Sequence, residues 1–455
     1  MKDFLETMNP YNGEILNRYA LWSKEELKTA LQKSESAYVS WKETELWQRV
    51  DLVRKLGKLL IEKSDEIAPL ISLEMGKPIE EARAELYKCA ASCAYLADNA
   101  EAWLRPVELE TETHRTLVHF RPMGAVLAVM PWNFPFWQVI RQALPALLGA
   151  NVFLLKHASR VWGCALELEK LFEEAGFPKD VFITLQIRNE ALDFVMSSRH
   201  ICGVAFTGSE NAGSKVAALA GKYLKKSVLE LGGSDPFIVF EDADLKWAAE
   251  EGLKSRFQNA GQSCIAAKRF IVHHKVFDDF VAEMKKGLKT LKPGNPLDKA
   301  CKMGPMVSAE AAEELEKQML ESMDEKTQLL GGWNRNQALV DPLIMLHVNR
   351  NARVWKEETF GPIAVIMPFD SDEEAVELAN DTRYGLGAAV FSKDVFKAEK
   401  IGLQLECGQV FINEMVKSNA AFPFGGVKDS GYGRELSEWG MKEFLNIKPV
   451  VQRAD

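Results

Sequence analysis

A thiol, a carboxylate and an amide stand at separate turns of this 455-residue chain, each able to do chemistry if it is aimed. Cys264 closes the run Asn259-Ala260-Gly261-Gln262-Ser263-Cys264, between an expected helix over 244–258 and an expected strand over 268–273. A thiol at the end of a glycine-containing turn can be held and aimed, and its thiolate is a nucleophile where the surroundings lower its pKa. Taken alone, the same residue reads as a small buried hydrophobe. Glu230 ends an expected strand and precedes Leu231-Gly232-Gly233, where two glycines allow close backbone approach. A carboxylate there can serve as a general base. Asn133 lies in Pro131-Trp132-Asn133-Phe134-Pro135, whose prolines set a turn that can aim the amide at a developing oxyanion. As a bare turn it is only a loop.

The dinucleotide signals are weaker one by one. No Walker A motif and no G-x-G-x-x-G loop after a strand occur. Phe206-Thr207-Gly208-Ser209 ends a strand and opens a helix, whose N-terminus can hold a pyrophosphate. A tight strand-to-helix turn explains it equally well. Glu357-Glu358-Thr359-Phe360-Gly361-Pro362 and Phe424-Gly425-Gly426 are similar turn-rich stretches.

The elements that must carry these turns alternate in period. After a capping box at Ser23-Lys24-Glu25-Glu26, the first hundred residues read as helices with no visible chemistry. Arg115 to Arg121 alternates as a two-sided or edge strand. Buried strands are expected at 126–130, 152–155, 181–185, 204–206 and 228–231, with helices at 136–148, 164–175 and 211–224 between them. A second series has strands at 236–240, 268–273, 363–368, 387–392 and 409–412, with helices near 276–290 and 309–327. Continuous apolar strands alternating with helices imply an α/β fold with doubly wound parallel sheets.

Composition narrows the partners. With 56 basic and 65 acidic residues the net charge is −9, which disfavours nucleic acid or an anionic membrane. The seven cysteines are sparse, odd in number and without a C-x-x-C pair, so neither a disulfide framework nor a zinc site is expected. No metal is expected from the histidines either: His273 and His274 are neighbours in a strand pattern and should face opposite ways. The apolar stretches 123–130 and 143–155 are too short or too interrupted to span a bilayer, and the chain opens without an apolar leader run. The cytoplasm is the expected location.

Taken together and in order, the six turn motifs resemble the aldehyde dehydrogenase superfamily, from Asn9-Pro10-Tyr11-Asn12-Gly13-Glu14 nearly to the C-terminus. The resemblance implies that Cys264 adds to an aldehyde as a thiohemiacetal, in an oxyanion hole made by its own N–H and Asn133. Hydride transfer would leave a thioester, and Glu230 would activate the water that hydrolyses it. It also implies NAD or NADP held by Met130, Pro131, Trp132, Lys156, Ser159, Gly208, Ser209, Leu231, Gly232, Glu358 and Phe360. The implied architecture is a Rossmann-like cofactor domain (1–104 and 123–232), an α/β catalytic domain (233–428) and a small β oligomerisation arm with the C-terminal segment (105–122 and 429–455). Such an arm implies a homodimer or homotetramer.

Two departures bear on specificity. Many NAD-using relatives have a glutamate three residues after the lysine, whereas this chain reads Lys156-His157-Ala158-Ser159. A neutral Ser159 does not repel a 2′-phosphate, so NADP is expected to be accepted. Arg141, eight positions after Asn133 and so expected on a similar helical face, is similar to the arginine that grips the distal carboxylate in succinate-semialdehyde dehydrogenases. Ser418 is a second candidate contact. Gln258 stands where another semialdehyde pattern has an arginine, and Ala266 leaves no second cysteine beside the nucleophile for a regulatory disulfide. Dehydrogenases of glutarate semialdehyde, an aminoaldehyde or an uncharged aliphatic aldehyde are the alternatives. A thiol hydrolase would need an aimed imidazole, and none lies in the motif set. A non-catalytic relative would not need Cys264, Asn133 and Glu230 together.

Overall fold

In the computed structural model, which describes residues 3–453, the two parallel sheets expected from the apolar runs are present. A six-stranded sheet has the spatial order Gly431–Tyr432, Lys226–Glu230, Ile201–Thr207, Ala125–Met130, Val152–His157, Phe182–Thr184. All its pairings are parallel except that of the first pair, where Gly431 faces Glu230. Ala125–Met130 and Val152–His157 are buried at every position, which is why their sequence is continuously apolar rather than alternating. From Ala125–Met130 the chain winds outward to Phe182–Thr184, then returns to the other side at Ile201–Thr207. The switch point therefore lies between Met130 and Thr207, at the carboxyl ends of their strands.

The seven-stranded sheet runs Gln328–Leu330, Leu343–Leu346, Ile363–Phe369, Ala267–His273, Asp235–Val239, Gly387–Phe391, Gln409–Ile412, with only the first strand antiparallel. Only four residues separate Glu230 from Asp235, so the carboxyl edge of the first sheet leads directly to the amino edge of the second. Cys264 lies just before Ala267–His273, at that same edge. One apolar core surrounds the first sheet and two others flank the second.

Several expectations need correction. Residues 4–20 are not helical: Phe4–Met8 and Ile15–Ala20 form an antiparallel hairpin. A bulge at Thr7/Met8 and mostly half-buried or exposed side chains leave no clean alternation to read there. Of the two readings of 115–121, two-sided or edge, only the edge fails: His114–Arg121 is the middle strand of a three-stranded antiparallel sheet, between Asn446–Arg453 and Val107–Glu110. The helix expected over 309–327 stops at Leu320, and Asp324 instead caps a turn through Thr327. His273 and His274 do not diverge: His274 leaves the strand in a 3-10 turn and the rings stack at 4.5 Å. No described helix is long and apolar enough to cross a membrane.

Candidate active site

The loop before Cys264 is held in an unusual backbone. Asn259, Ala260 and Gly261 have φ of 54°, 53° and 72°, three successive left-handed residues of which only the glycine is at ease. Such strain persists where the surroundings over-determine it. Arg256, fully buried, donates to the carbonyls of Gly261 at 2.8 Å, Thr359 at 3.2 Å and Gly361, joining this loop to the one that carries Glu358. Glu81 accepts from the Asn259 N–H at 2.8 Å, and Val307 N–H donates to the Gln262 side chain at 2.8 Å. Lys268 donates to the carbonyls of Ser263 at 3.0 Å and Cys264 at 2.8 Å. Neither Arg256 nor Lys268 was singled out in the sequence: Arg256 reaches the distant Thr359 and Gly361 carbonyls, and Lys268 meets the distant Glu358.

Asn133 is tied to this loop. Its Nδ2 donates to the Gln262 carbonyl at 3.1 Å, and Asn259 Nδ2 donates to the Asn133 carbonyl at 2.9 Å. An amide nitrogen carries two hydrogens, so one N–H of Asn133 is left for an oxyanion. Asn133 sits in a bend ahead of the Trp137–Leu148 helix, not on it, so the expected helical alignment with Arg141 does not hold.

The half-buried Cys264 thiol has its pKa pushed up to about 12 by burial, against the pull of Arg141 and Lys268. Glu230 is buried, and neither carboxylate oxygen has a hydrogen-bond partner among the described residues. Burial, then the neighbouring Glu435, raises its pKa well above the usual carboxylate range, while Arg141 and Arg434 oppose the rise. Gly425 makes the space, since a Cβ there would stand 2.9 Å from Glu230 Oε1.

Arg141, expected to grip a substrate carboxylate, already faces a carboxylate of the chain. Its Nε is 2.5 Å from Glu435 Oε2, with both side chains buried, and it lies over the Phe424 ring at 4.9 Å. Glu435 reaches it because its backbone pairs with that of Phe424. A cavity of about 280 Å³ opens from Cys264 and is lined by Arg141, Trp137, Phe424, Ser418 and Lys88 among others. Lys88 comes from the Ile79–Leu104 helix, where no chemistry was expected.

Most of the other sequence-derived residues stand at or just after the carboxyl ends of the strands Ala125–Met130, Val152–His157, Ile201–Thr207 and Lys226–Glu230, with Glu358 and Phe360 on a loop of the second sheet. Met130 ends its strand, Pro131 follows, and the Trp132 and Phe360 rings meet edge to face at 5.8 Å. Glu358 Oε1 accepts from Gly233 N–H at 2.9 Å and is 3.5 Å from Lys268 Nζ. Gly232 leaves room for this carboxylate, because a Cβ would stand 2.6 Å from Glu358 Oε2. Leu231 packs against Gly213, and its N–H donates to the Ser430 carbonyl at 3.0 Å. Gly208 N–H donates to the Glu230 carbonyl, and Ser209 caps the Glu210–Lys222 helix. Lys156, at the end of Val152–His157, is buried and in no ion pair among the described residues; burial lowers its pKa to about 8. Ser159 is exposed, at the start of a 3-10 turn.

A crevice at the switch point of a parallel sheet is where α/β enzymes hold a dinucleotide, which sets the class of the protein. The chain belongs to the aldehyde dehydrogenase family, whose model matches residues 2–450. It is 40% identical over 447 residues to an NAD(P)+ succinate semialdehyde dehydrogenase of Escherichia coli, covering 98% of this chain and 97% of that one. It is 41% identical to a probable NADP+ succinate-semialdehyde dehydrogenase of Synechocystis sp., covering 98% and 99%. The crystal structure of succinic semialdehyde dehydrogenase from Streptococcus pyogenes in complex with NADP+ superposes with a TM-score of 0.96 at 35% identity, over 98% of this chain and 99% of that one.

Proposed function

We propose that the protein oxidises succinic semialdehyde to succinate with NADP+ or NAD+ through a covalent adduct on Cys264. The observation that carries the substrate is the cavity leading from Cys264 to Lys88, Arg141 and Ser418, all able to donate to a carboxylate. The names of the relatives favour the same substrate.

The Cys264 thiol gives its proton to solvent and Sγ adds to the aldehyde carbon as the thiolate, the resulting oxyanion taking hydrogen bonds from the Cys264 N–H and the remaining N–H of Asn133. When bound, the dinucleotide accepts the hydride that converts this adduct to a thioester. Glu230 then takes a proton from water as its oxygen attacks the thioester carbon and the Cys264 sulfur leaves. A carboxylate with two unpaired oxygens and a raised pKa is a stronger base than an exposed one.

The residues present fit a dinucleotide. Lys156, a buried cation in no ion pair among the described residues, suits a 2′-phosphate, and the neutral Ser159 adds no repulsion. The Ser209-capped helix end and Gly208 suit the pyrophosphate. Glu358 beside Gly232, with Phe360 against Trp132, suits the nicotinamide ribose, and Met130, Pro131 and Leu231 complete the proposed set. On this reading 1–104 with 123–232 is the cofactor domain, 233–428 the catalytic domain, and 105–122 with 429–455 the arm and C-terminal segment. The arm makes a homodimer or homotetramer, using the exposed strand Asn446–Arg453 with its Ile447, Val450 and Val451. The enzyme works in the cytoplasm.

Nicotinamide reduction followed by absorbance tests the reading, with succinic semialdehyde, glutaric semialdehyde, 4-aminobutanal and butanal under each cofactor. Succinic semialdehyde should have the highest kcat/KM, and NADP+ should be used. Equal kcat/KM for butanal would overturn the substrate, and a large NAD+ preference would overturn the role of Lys156.

A further inference from the structure

The far wall of the cavity carries a cation that no carboxylate among the described residues neutralises. The Ile79–Leu104 helix turns Glu81, Ala84, Glu85 and Lys88 toward the cavity, at the spacing of successive turns. Its two acids are already engaged. Glu85 Oε1 accepts from the N–H groups of Phe136 at 2.8 Å and Trp137 at 2.9 Å, and Oε2 pairs with buried Lys77. Glu81 Oε2 accepts from Asn259 N–H. The cavity's arginine, Arg141, shares its charge with Glu435. Of the other cavity lysines, Lys417 pairs with Glu414 and Lys254 is exposed.

Lys88 differs from all of these. It is half-buried and in no ion pair among the described residues; its Nζ stands 4.2 Å from the Trp137 ring centroid and donates to Ser418 Oγ at 2.7 Å. Trp137 Nε1 donates to the same Oγ at 3.0 Å. Two donors occupy both lone pairs of the Ser418 hydroxyl, so its own hydrogen is left to donate. The Lys88 ammonium keeps two further N–H groups. The wall therefore offers donors and a positive charge together. Burial and the Arg141 charge push Lys88 down to about 8, as befits a cation lacking an anion.

We infer that Lys88, acting with the Ser418 hydroxyl, binds the distal carboxylate of the substrate and supplies the charge that Arg141 has already given to Glu435. The inference rests on the ω-carboxy aldehyde reading above. It moves the centre of specificity to the Ile79–Leu104 helix.

The test is a comparison of Lys88→Met, Lys88→Arg and wild type on succinic semialdehyde and butanal. Loss of a charged hydrogen bond should lower the ratio of their kcat/KM values by about ten- to a hundredfold in Lys88→Met, mainly through KM for the semialdehyde. Lys88→Arg, which keeps the charge, should bring the ratio back to within about threefold of wild type. A purely structural role would lower both substrates together and leave the ratio unchanged, which would overturn the inference. If Lys88→Met does not fold, trace acetylation of the wild-type enzyme decides: succinate should slow modification of Lys88 and succinamide should not. Equal modification with and without succinate overturns the inference. A wild type with no preference for succinic semialdehyde over butanal overturns the substrate reading and this inference with it. A wild-type preference that survives in Lys88→Met overturns this inference alone.

Discussion

Acid should weaken the loop that carries Asn133 through one histidine. His157 is fully buried, with Nε2 2.9 Å from the Pro135 carbonyl and Nδ1 2.9 Å from the Ala158 amide. Nδ1 also stands 3.2 Å from the Met130 carbonyl, which itself accepts from the Ala158 N–H at 2.9 Å, so each ring nitrogen faces a backbone carbonyl. The ring is neutral, and burial holds its pKa at about 4 against an ordinary 6.5. Because the folded value is the lower one, the unfolded chain takes up the proton first. Stability from this group is complete above the unfolded pKa and is lost as pH falls toward the folded one. With these two values, the linkage relation gives a loss of about 2 kcal/mol between pH 7.5 and pH 5. For a cooperative unit of ordinary domain size that is a Tm shift of about 4–8 °C. His157→Gln keeps a donor for Pro135 and cannot gain a proton. Calorimetric scans at both pH values should show wild type losing about 4–8 °C more than the variant. If the two lose stability in parallel, the neutral, buried imidazole is not what acid breaks.

Other perturbations follow from the same geometry. Glu435→Gln removes a like charge that raises the Glu230 pKa, so the base should ionise at lower pH. The acid limb of the pH profile for turnover should move to lower pH, and a shift to higher pH would contradict the pairing. In Gly232→Ala the new Cβ meets the flexible end of Glu358, which can move aside, so the fold should survive. The displaced carboxylate should raise the KM for the dinucleotide by about tenfold, the scale of one lost charged hydrogen bond, while Tm stays near wild type. An unchanged cofactor KM would remove Glu358 from the cofactor site.

Much of the frame was legible because burial on both faces writes continuous apolar runs, as in Val126 to Met130 and Val152 to Leu155. The turns at Cys264, Glu230 and Asn133 were legible because glycine and proline mark sharp backbone. What escaped depended on partners distant in sequence. Arg141 reads as a free cation until Glu435 is brought beside it, 294 positions later. Lys88 reads as a helix-surface lysine until Ser418 and Trp137 enclose its ammonium. The hairpin at Phe4–Met8 escaped for a local reason, since a bulge and exposure on both faces erase the period that marks a strand.

The most direct test of the account is the fate of Cys264 in Glu230→Gln. Mixed with succinic semialdehyde and NADP+ and quenched in acid, this variant should give a burst of NADPH and a succinyl thioester on the Cys264 peptide by mass spectrometry. Steady turnover should fall by about 10²–10⁴, the usual weight of a general base. An adduct on any other cysteine, or undiminished turnover in Cys264→Ala, would contradict it.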